Sequence, residues 1–131
     1  MGSVSPLTGQ SILVVEDEPL IALEVAVLLE SAGAKVLSAR TLADAVGLIG
    51  QPGLSAAILD YGLGTEKVSI VCGHLADGHV PFMFYTGYGD LQESFPQAVV
   101  VQKPASADTL LTALATLVMT PGEGPVPERA A

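Results

Sequence analysis

The chain has 131 residues, a formal net charge of −9, 50% hydrophobic residues and 15% charged residues. A chain of this length and composition forms one globular domain with a substantial core, which excludes intrinsic disorder of the chain as a whole. The five Lys and Arg residues form no run, so no basic surface for nucleic acid or for an anionic membrane is expected. The single cysteine, Cys72, excludes an internal disulfide and a cysteine-based zinc site.

The chain is expected to lie in the cytoplasm. Its apolar stretches are far shorter than a membrane span, and no apolar segment after a charged N-terminal region resembles a secretion signal. Residues 1–9 are polar and rich in turn formers, so they are expected to form a flexible N-terminal arm.

Strands and helices are predicted in alternation along the chain. Short apolar runs predict five strands, at residues 11–15, 35–39, 55–59, 80–86 and 98–102. Apolar residues at helical spacing predict helices after the first, second, third and fifth strands. Pro19 belongs in the first turn of the first helix, and Thr41 and Ser106 are expected to cap the second and the last. The first helix is expected to bury Ile21, Val25, Leu28 and Ala32.

This alternation predicts an α/β domain at residues 10–119, with a five-stranded parallel sheet in the doubly wound, flavodoxin-like order 2-1-3-4-5. Between the fourth and fifth strands, residues 87–97 barely reach the roughly 10–12 residues that a helical crossover needs. The helix at this place is therefore expected to be shortened or absent. Residues 120–131 are rich in Pro and Gly and are expected to be a disordered tail, so that output would have to pass through protein contacts.

Polar side chains stand where the predicted strands end. Glu16 and Asp17 follow the first strand, Asp60 the third, Thr86 closes the fourth, and Lys103 follows the fifth. In the predicted strand order these ends are neighbours, so the five side chains converge on one rim. Each also has a purely structural alternative, such as a helix cap for Asp17, a turn residue for Thr86 or a solvated lysine for Lys103.

The five side chains together favour phosphoryl transfer onto a carboxylate. Three nearby carboxylates stay ionised only if cations offset them, and Lys103 supplies one positive charge. A divalent ion such as Mg²⁺, which prefers oxygen ligands, would supply the rest. Asp60 is then the nucleophile, and Lys103 and the Thr86 hydroxyl would contact the phosphoryl group.

The motifs at these strand ends resemble the receiver domain of two-component response regulators. They are Val-Val-Glu-Asp-Glu-Pro at 14–19, Ile-Leu-Asp at 58–60, Tyr-Thr-Gly at 85–87 and Gln-Lys-Pro at 102–104. The resemblance implies that Asp60 is phosphorylated and that Glu16, Asp17, Asp60 and the Gly62 carbonyl hold Mg²⁺. It further implies Thr86 as the switch hydroxyl, Lys103 as the phosphate contact and a cis peptide between Lys103 and Pro104.

The segment Phe-Tyr-Thr-Gly-Tyr at 84–88 is similar to the signature of the FAT GUY subgroup of receivers, with Tyr85 in place of its alanine. That subgroup is associated with stress signalling and often has a reduced fourth helix. Receivers commonly carry an aromatic residue on the fifth strand, where this chain has only Ala98 and valines. Tyr85 or Tyr88 is therefore the candidate aromatic for coupling to Thr86, although Tyr88 could equally be an exposed loop residue.

The resemblance implies a single-domain response regulator that accepts phosphate from a sensor histidine kinase or a phosphotransferase and contacts a downstream regulator protein. The resemblance further implies a phospho-acceptor rather than an enzyme, which would at most catalyse its own phosphorylation and slow dephosphorylation. The last helix, which carries no charge from Thr109 to Thr120, and the fifth strand are expected to support self-association. The alternatives are a phosphorylation-independent adaptor, a phosphate sink or a phosphatase of the haloacid-dehalogenase type. The last of these needs an acid at position 62, which is glycine.

Overall fold

A computed structural model describes residues 7–60, 65–87, 99–103 and 105–119. Its strands are β1 Ser11–Val15, β2 Lys35–Ala39, β3 Ala56–Leu59, β4 Phe82–Thr86 and β5 Val99–Gln102. Its helices, numbered in chain order, are α1 Pro19–Ser31, α2 Leu42–Ile49, α3 Thr65–Asp77 and α4 Ala107–Met119.

The five strands form one parallel sheet in the order β2-β1-β3-β4-β5. The predicted doubly wound α/β fold and its strand order are therefore confirmed. The register aligns the carboxyl ends of β1 and β3, with Val15 opposite Leu59. Leu59 also lies opposite Phe84, two residues before the end of β4. The residues that follow β1 and β3 and the last residues of β4 consequently lie at the same edge of the sheet.

Two helix starts are fixed by the side chains that the sequence indicates. The Thr41 hydroxyl accepts a hydrogen bond from the Asp44 backbone N–H at 3.1 Å. The Ser106 hydroxyl likewise accepts a hydrogen bond from the Thr109 backbone N–H at 3.1 Å. Each bond satisfies one of the N–H groups that the first turn of a helix leaves without a partner. Helix α1 has no side-chain cap, but it begins with Pro19, whose fixed φ suits the first turn.

The sheet separates two hydrophobic cores, because successive strand residues point to opposite faces. Ile12, Val14 and Ile58 lie in the core that contains α1 and α4. Leu13 and Leu59 lie in the other core, against α2 and α3. Helix α3 buries in this core the four apolar residues that recur at helical spacing along its sequence, namely Val68, Val71, Cys72 and Leu75.

The predicted N-terminal arm is too long. Leu7 is completely buried in the first core, and its backbone N–H donates to the Ala32 carbonyl at 3.0 Å. Gly33 makes this close approach possible, because its φ is +99° and a Cβ there would lie 2.5 Å from the Thr8 hydroxyl oxygen. The domain therefore includes residues 7–9.

The predicted buried face of α1 is only partly correct. Val25 and Ala32 are buried as predicted. The helix also buries Ala22 and Leu29, whereas Ile21 and Leu28 are only partly buried. The opposite face of α1 exposes three large apolar side chains, with exposed fractions of 70% for Leu20, 59% for Leu23 and 57% for Val27. These three residues are called the α1 stripe below.

Several predictions fall on residues that the structure does not describe. They concern most of the interval between β4 and β5, the Lys103–Pro104 peptide, the first six residues and the segment 120–131. The predicted shortening or absence of a helix between β4 and β5 therefore stays a prediction. Of the helices within the described ranges, none combines the length and apolarity that crossing a bilayer requires.

Candidate functional site

Backbone hydrogen bonds continue beyond the strand ends and fix the residues that follow them. The Glu16 N–H donates to the Ala39 carbonyl at 3.0 Å, and the Asp60 N–H donates to the Val15 carbonyl at 3.0 Å. The Lys103 N–H donates to the Thr86 carbonyl at 2.9 Å. These bonds extend the hydrogen-bonded ladder of the sheet into the main chain of the site.

Three carboxylates meet at this edge of the sheet. Glu16, Asp17 and Asp60 each have an oxygen within 4.8 Å of the others. Glu16 and Asp60 are buried, with 4% and 8% of each residue exposed, whereas Asp17 is exposed. The structure thus brings together the three acids that the sequence indicates, and they are called the acidic site below.

Lys103 bridges the two buried acids. Its Nζ lies 3.0 Å from Glu16 Oε1 and 3.3 Å from Asp60 Oδ2. The Glu18 backbone N–H donates to the other Glu16 oxygen, Oε2, at 3.2 Å. With 19% of the Lys103 side chain exposed, these ion pairs are only partly screened by water.

The electrostatics of the acidic site are unbalanced. Burial, followed by the neighbouring Asp60 carboxylate, raises the pKa of Glu16 to about 7, although its bond to Lys103 acts in the opposite direction. For Lys103, burial lowers the pKa, but Glu16 and Asp60 outweigh that effect and the pKa is raised. One ammonium therefore faces three carboxylates, which is a site with an excess of negative charge.

This donor set fits a hard divalent cation. Carboxylate oxygens are the ligands that Mg²⁺ prefers, and Mg²⁺ usually takes one or two of them and keeps several waters. Exposed Asp17 leaves the acidic site accessible from the solvent, while buried Glu16 and Asp60 form its inner side.

The last two residues of β4 lie next to the acidic site on opposite faces of the sheet. Thr86 is completely buried and follows Phe84 of the second core by two positions, so both point to the same side. Tyr85 packs against the first core, and Nζ of Lys103 lies 5.6 Å from the centre of its ring. The sequence suggested Tyr85 as a switch residue but gave no sign of this contact with Lys103.

Three predicted site features lie outside the described residues. They are the Gly62 carbonyl as a metal ligand, Tyr88 as a switch aromatic and Pro104 as the second residue of a cis peptide.

The comparisons with known proteins agree on one fold. No protein-family model matches the sequence. Over 81 residues, or 59% of the chain, it is 37% identical to the phyllosphere-induced regulator PhyR of Methylorubrum extorquens, and the matched part is 30% of that protein. The chain thus spans less than a third of the curated relative that it matches.

Solved structures similar to the chain cover most of its length. A variant of the anti-anti-sigma factor PhyR from Bartonella quintana is 24% identical with a TM-score of 0.74, over 88% of this chain and 50% of that one. A receiver domain of a Pseudomonas aeruginosa sensor histidine kinase, with magnesium coordinated in its active site cleft, is 22% identical with a TM-score of 0.74. The similarity covers 86% of this chain and 100% of that one. A response regulator from Thermotoga maritima is 19% identical with a TM-score of 0.74, and the similarity covers 87% of this chain and 100% of that one.

Proposed function

Because this chain has the fold of a response regulator receiver domain, we propose that it is a response regulator that accepts a phosphoryl group on Asp60. The observation that carries the proposal is the position of Lys103, whose Nζ contacts both Glu16 and Asp60. An ammonium within 3.3 Å of an Asp60 oxygen is suitably placed to stabilise the negative charge of the phosphoryl oxygens that transfer brings next to Asp60.

The proposed donor is a phosphohistidine of a sensor histidine kinase or a phosphotransferase. An oxygen of Asp60 forms the new bond to phosphorus, and the bond between phosphorus and the imidazole nitrogen breaks. The electron pair of that bond leaves with the imidazole, which then takes a proton. Lys103 keeps its positive charge throughout, since the acids around it raise its pKa. The domain is thereby a phospho-acceptor rather than an enzyme with a separate substrate.

We assign the metal ligands to Glu16, Asp17 and Asp60, together with the Gly62 carbonyl that the sequence resemblance implies. The support is the donor chemistry, since the three acids offer only oxygen ligands that lie within 4.8 Å of one another. When bound, Mg²⁺ offsets the negative charge of the acidic site and of the phosphoryl oxygens. Thr86 is the proposed hydroxyl contact of the phosphoryl group, in keeping with its place at the end of β4.

The α1 stripe is the proposed docking surface for the phosphodonor. Leu20, Leu23 and Val27 follow each other at spacings of three and four, so they lie on one face of the helix. The stripe begins three residues after Asp17, which brings its first member close to the acidic site. Exposed apolar side chains of this size, gathered on one helix face, are typical of a protein interaction surface.

The output of phosphorylation is proposed to be contact with a downstream regulator protein, within the general stress response that the FAT GUY resemblance implies. The similarity to an anti-anti-sigma factor supports a protein rather than nucleic acid as the partner. Self-association through α4 and β5 is proposed as a second contact, since Val99 at the edge of the sheet exposes 37% of its surface. The proposed kinase partner uses ATP, which puts the reaction in the cytoplasm.

The test is treatment of the protein with acetyl phosphate and Mg²⁺, followed by mass spectrometry of the intact chain. We expect the wild type to gain the mass of one phosphoryl group and Asp60→Asn to gain none. Asp77→Asn is the matched control, because this exposed aspartate lies at the far end of α3. A wild type that stays unmodified, or an Asp60→Asn variant that is modified equally, would overturn the proposal.

A further inference from the structure

The side chain of Tyr85 forms one wall of the space that Lys103 occupies. The Lys103 Nζ lies over the Tyr85 ring at 5.6 Å from its centre, while the same nitrogen contacts Glu16 and Asp60. An ammonium within about 6 Å of an aromatic ring centre is attracted by the negative face of the ring. Lys103 thus has three neighbours that favour its positive charge, two anionic and one aromatic.

The Tyr85 ring is itself held by packing. Tyr85 is half-buried and lies against the core that contains α1 and α4. The register of the sheet places it opposite Val101, two residues before Lys103, and the neighbouring Thr86 carbonyl accepts the Lys103 N–H. The ring and the lysine therefore start from adjacent, hydrogen-bonded strands, and the core fixes the ring from the other side.

We propose that Tyr85 is a positioning residue for Lys103, an inference that rests on the proposed function. A lysine side chain has many rotamers, and only some of them reach both acids. The aromatic ring favours the ammonium in the bridging position and excludes rotamers in which the stem would pass through the ring. Tyr85 itself need not touch the phosphoryl group, and its hydroxyl has no part in this role.

The proposal predicts that the aromatic ring matters and the hydroxyl does not. Tyr85→Leu is expected to slow phosphorylation by acetyl phosphate about three- to tenfold, the range that a partly desolvated cation–π contact implies. Tyr85→Phe is expected to retain the wild-type rate within about twofold. The affinity for Mg²⁺ is expected to be the same in all three proteins, since all of them retain the three carboxylates of the acidic site.

A double-mutant cycle separates positioning from general packing. In a Lys103→Ala background, Tyr85→Leu is expected to cause no further loss of rate, because the group that it positions has been removed. If the ring only supports the core, Tyr85→Leu would instead reduce the rate by the same factor in both backgrounds. That result, or a Tyr85→Leu variant with the wild-type rate, would overturn the proposal.

Nuclear magnetic resonance gives a readout that needs no phosphorylation. The ring current of Tyr85 is expected to displace the resonances of the Lys103 ε-methylene group in the wild type and in Tyr85→Phe, but not in Tyr85→Leu. Resonances that are the same in all three proteins would contradict the contact. A wild type that shows the displacement but accepts no phosphate would refute the proposed function while leaving the contact intact, so the two failures are distinguishable.

Discussion

The Nζ of Lys103 lies 3.0 Å from Oε1 of Glu16, although 87 positions separate the two residues in the chain. The strands that precede them, β5 and β1, are not neighbours, because β3 and β4 lie between them. The lysine side chain therefore reaches across the ends of two strands, and it meets Asp60 at the end of β3 on the way. The two ion pairs of Lys103 thus connect the carboxyl ends of β1, β3 and β5, and they couple the charges along this edge of the sheet.

The metal site can be tested through its exposed ligand. Asp17→Asn is expected to weaken Mg²⁺ binding about tenfold or more, because it removes one of the three carboxylates that offset the ion's charge. Glu18→Gln is the matched control, since Glu18 is exposed and contributes only its backbone N–H to the site. Isothermal titration calorimetry with Mg²⁺ measures the affinity of each variant and of the wild type. Equal affinities for wild type and Asp17→Asn would remove Asp17 from the ligand set.

The raised pKa of Glu16 predicts a pH-dependent stability of the metal-free protein. The folded state holds the Glu16 proton with a pKa of about 7, against 4.5 for an ordinary glutamate. The folded state therefore binds more protons than the unfolded state between these values. Its contribution to the free energy of unfolding is fully present below about pH 4.5 and is lost as the pH rises to about 7.

Urea unfolding between about pH 5 and pH 7 measures this contribution. The free energy of unfolding of the wild type is expected to fall relative to that of Glu16→Gln as the pH rises. Glu24→Gln on the exposed side of α1 is the control and is expected to follow the wild type. A constant difference between wild type and Glu16→Gln over this range would contradict the assigned shift.

The proposed docking surface predicts that substitutions in the α1 stripe slow phosphorylation by a protein phosphodonor but not by a small-molecule phosphodonor. Leu23→Asp together with Val27→Asp is expected to slow phosphotransfer from a histidine kinase core at least about tenfold, since it places charges in an apolar contact. Acetyl phosphate needs no docking surface, so the rate with this donor is expected to be unchanged. Ile70→Asp, at an exposed apolar position on α3, is the control. Equal rates with the kinase for all three proteins would exclude the α1 stripe.

The buried position of Leu7 predicts that the N-terminal segment contributes to stability. Leu7→Ala is expected to lower the free energy of unfolding by about 2–5 kcal/mol, as for other fully buried leucines. Leu23→Ala on the exposed side of α1 is expected to change it by less than about 0.5 kcal/mol. Urea unfolding monitored by circular dichroism measures both. A Leu7→Ala variant as stable as Leu23→Ala would restore the flexible arm that the sequence predicts.

The sequence by itself determined the strand order and the membership of the acidic site. Three strands, β1, β3 and β5, are mainly apolar and have a polar residue directly after them, so the positions of Glu16, Asp60 and Lys103 mark their ends. In a parallel sheet of this order the carboxyl ends share one edge, so the main chain brings these residues to the same edge before any side chain is placed. The turn chemistry of Thr41 and Ser106 is equally local, and both caps form as predicted.

Tertiary structure decided which residues are buried and which side chains meet across neighbouring strands. Helix α1 is apolar on nearly all of its faces, so its sequence does not show which face is buried. In the folded protein the helix packs with Ala22 and Leu29 against the core. Leu7 stands alone among polar residues, and only the approach of Ala32 and Gly33 makes it part of the core.

The contact between Tyr85 and Lys103 depends on the register of β4 and β5, since a slip by one residue would turn Tyr85 to the other face. The raised pKa of Glu16 likewise depends on how much water reaches it. Apolar runs and polar strand ends are local properties that a sequence displays. Burial and cross-strand contacts arise only when distant segments pack together, and these contacts fix where Lys103 lies and how Glu16 titrates.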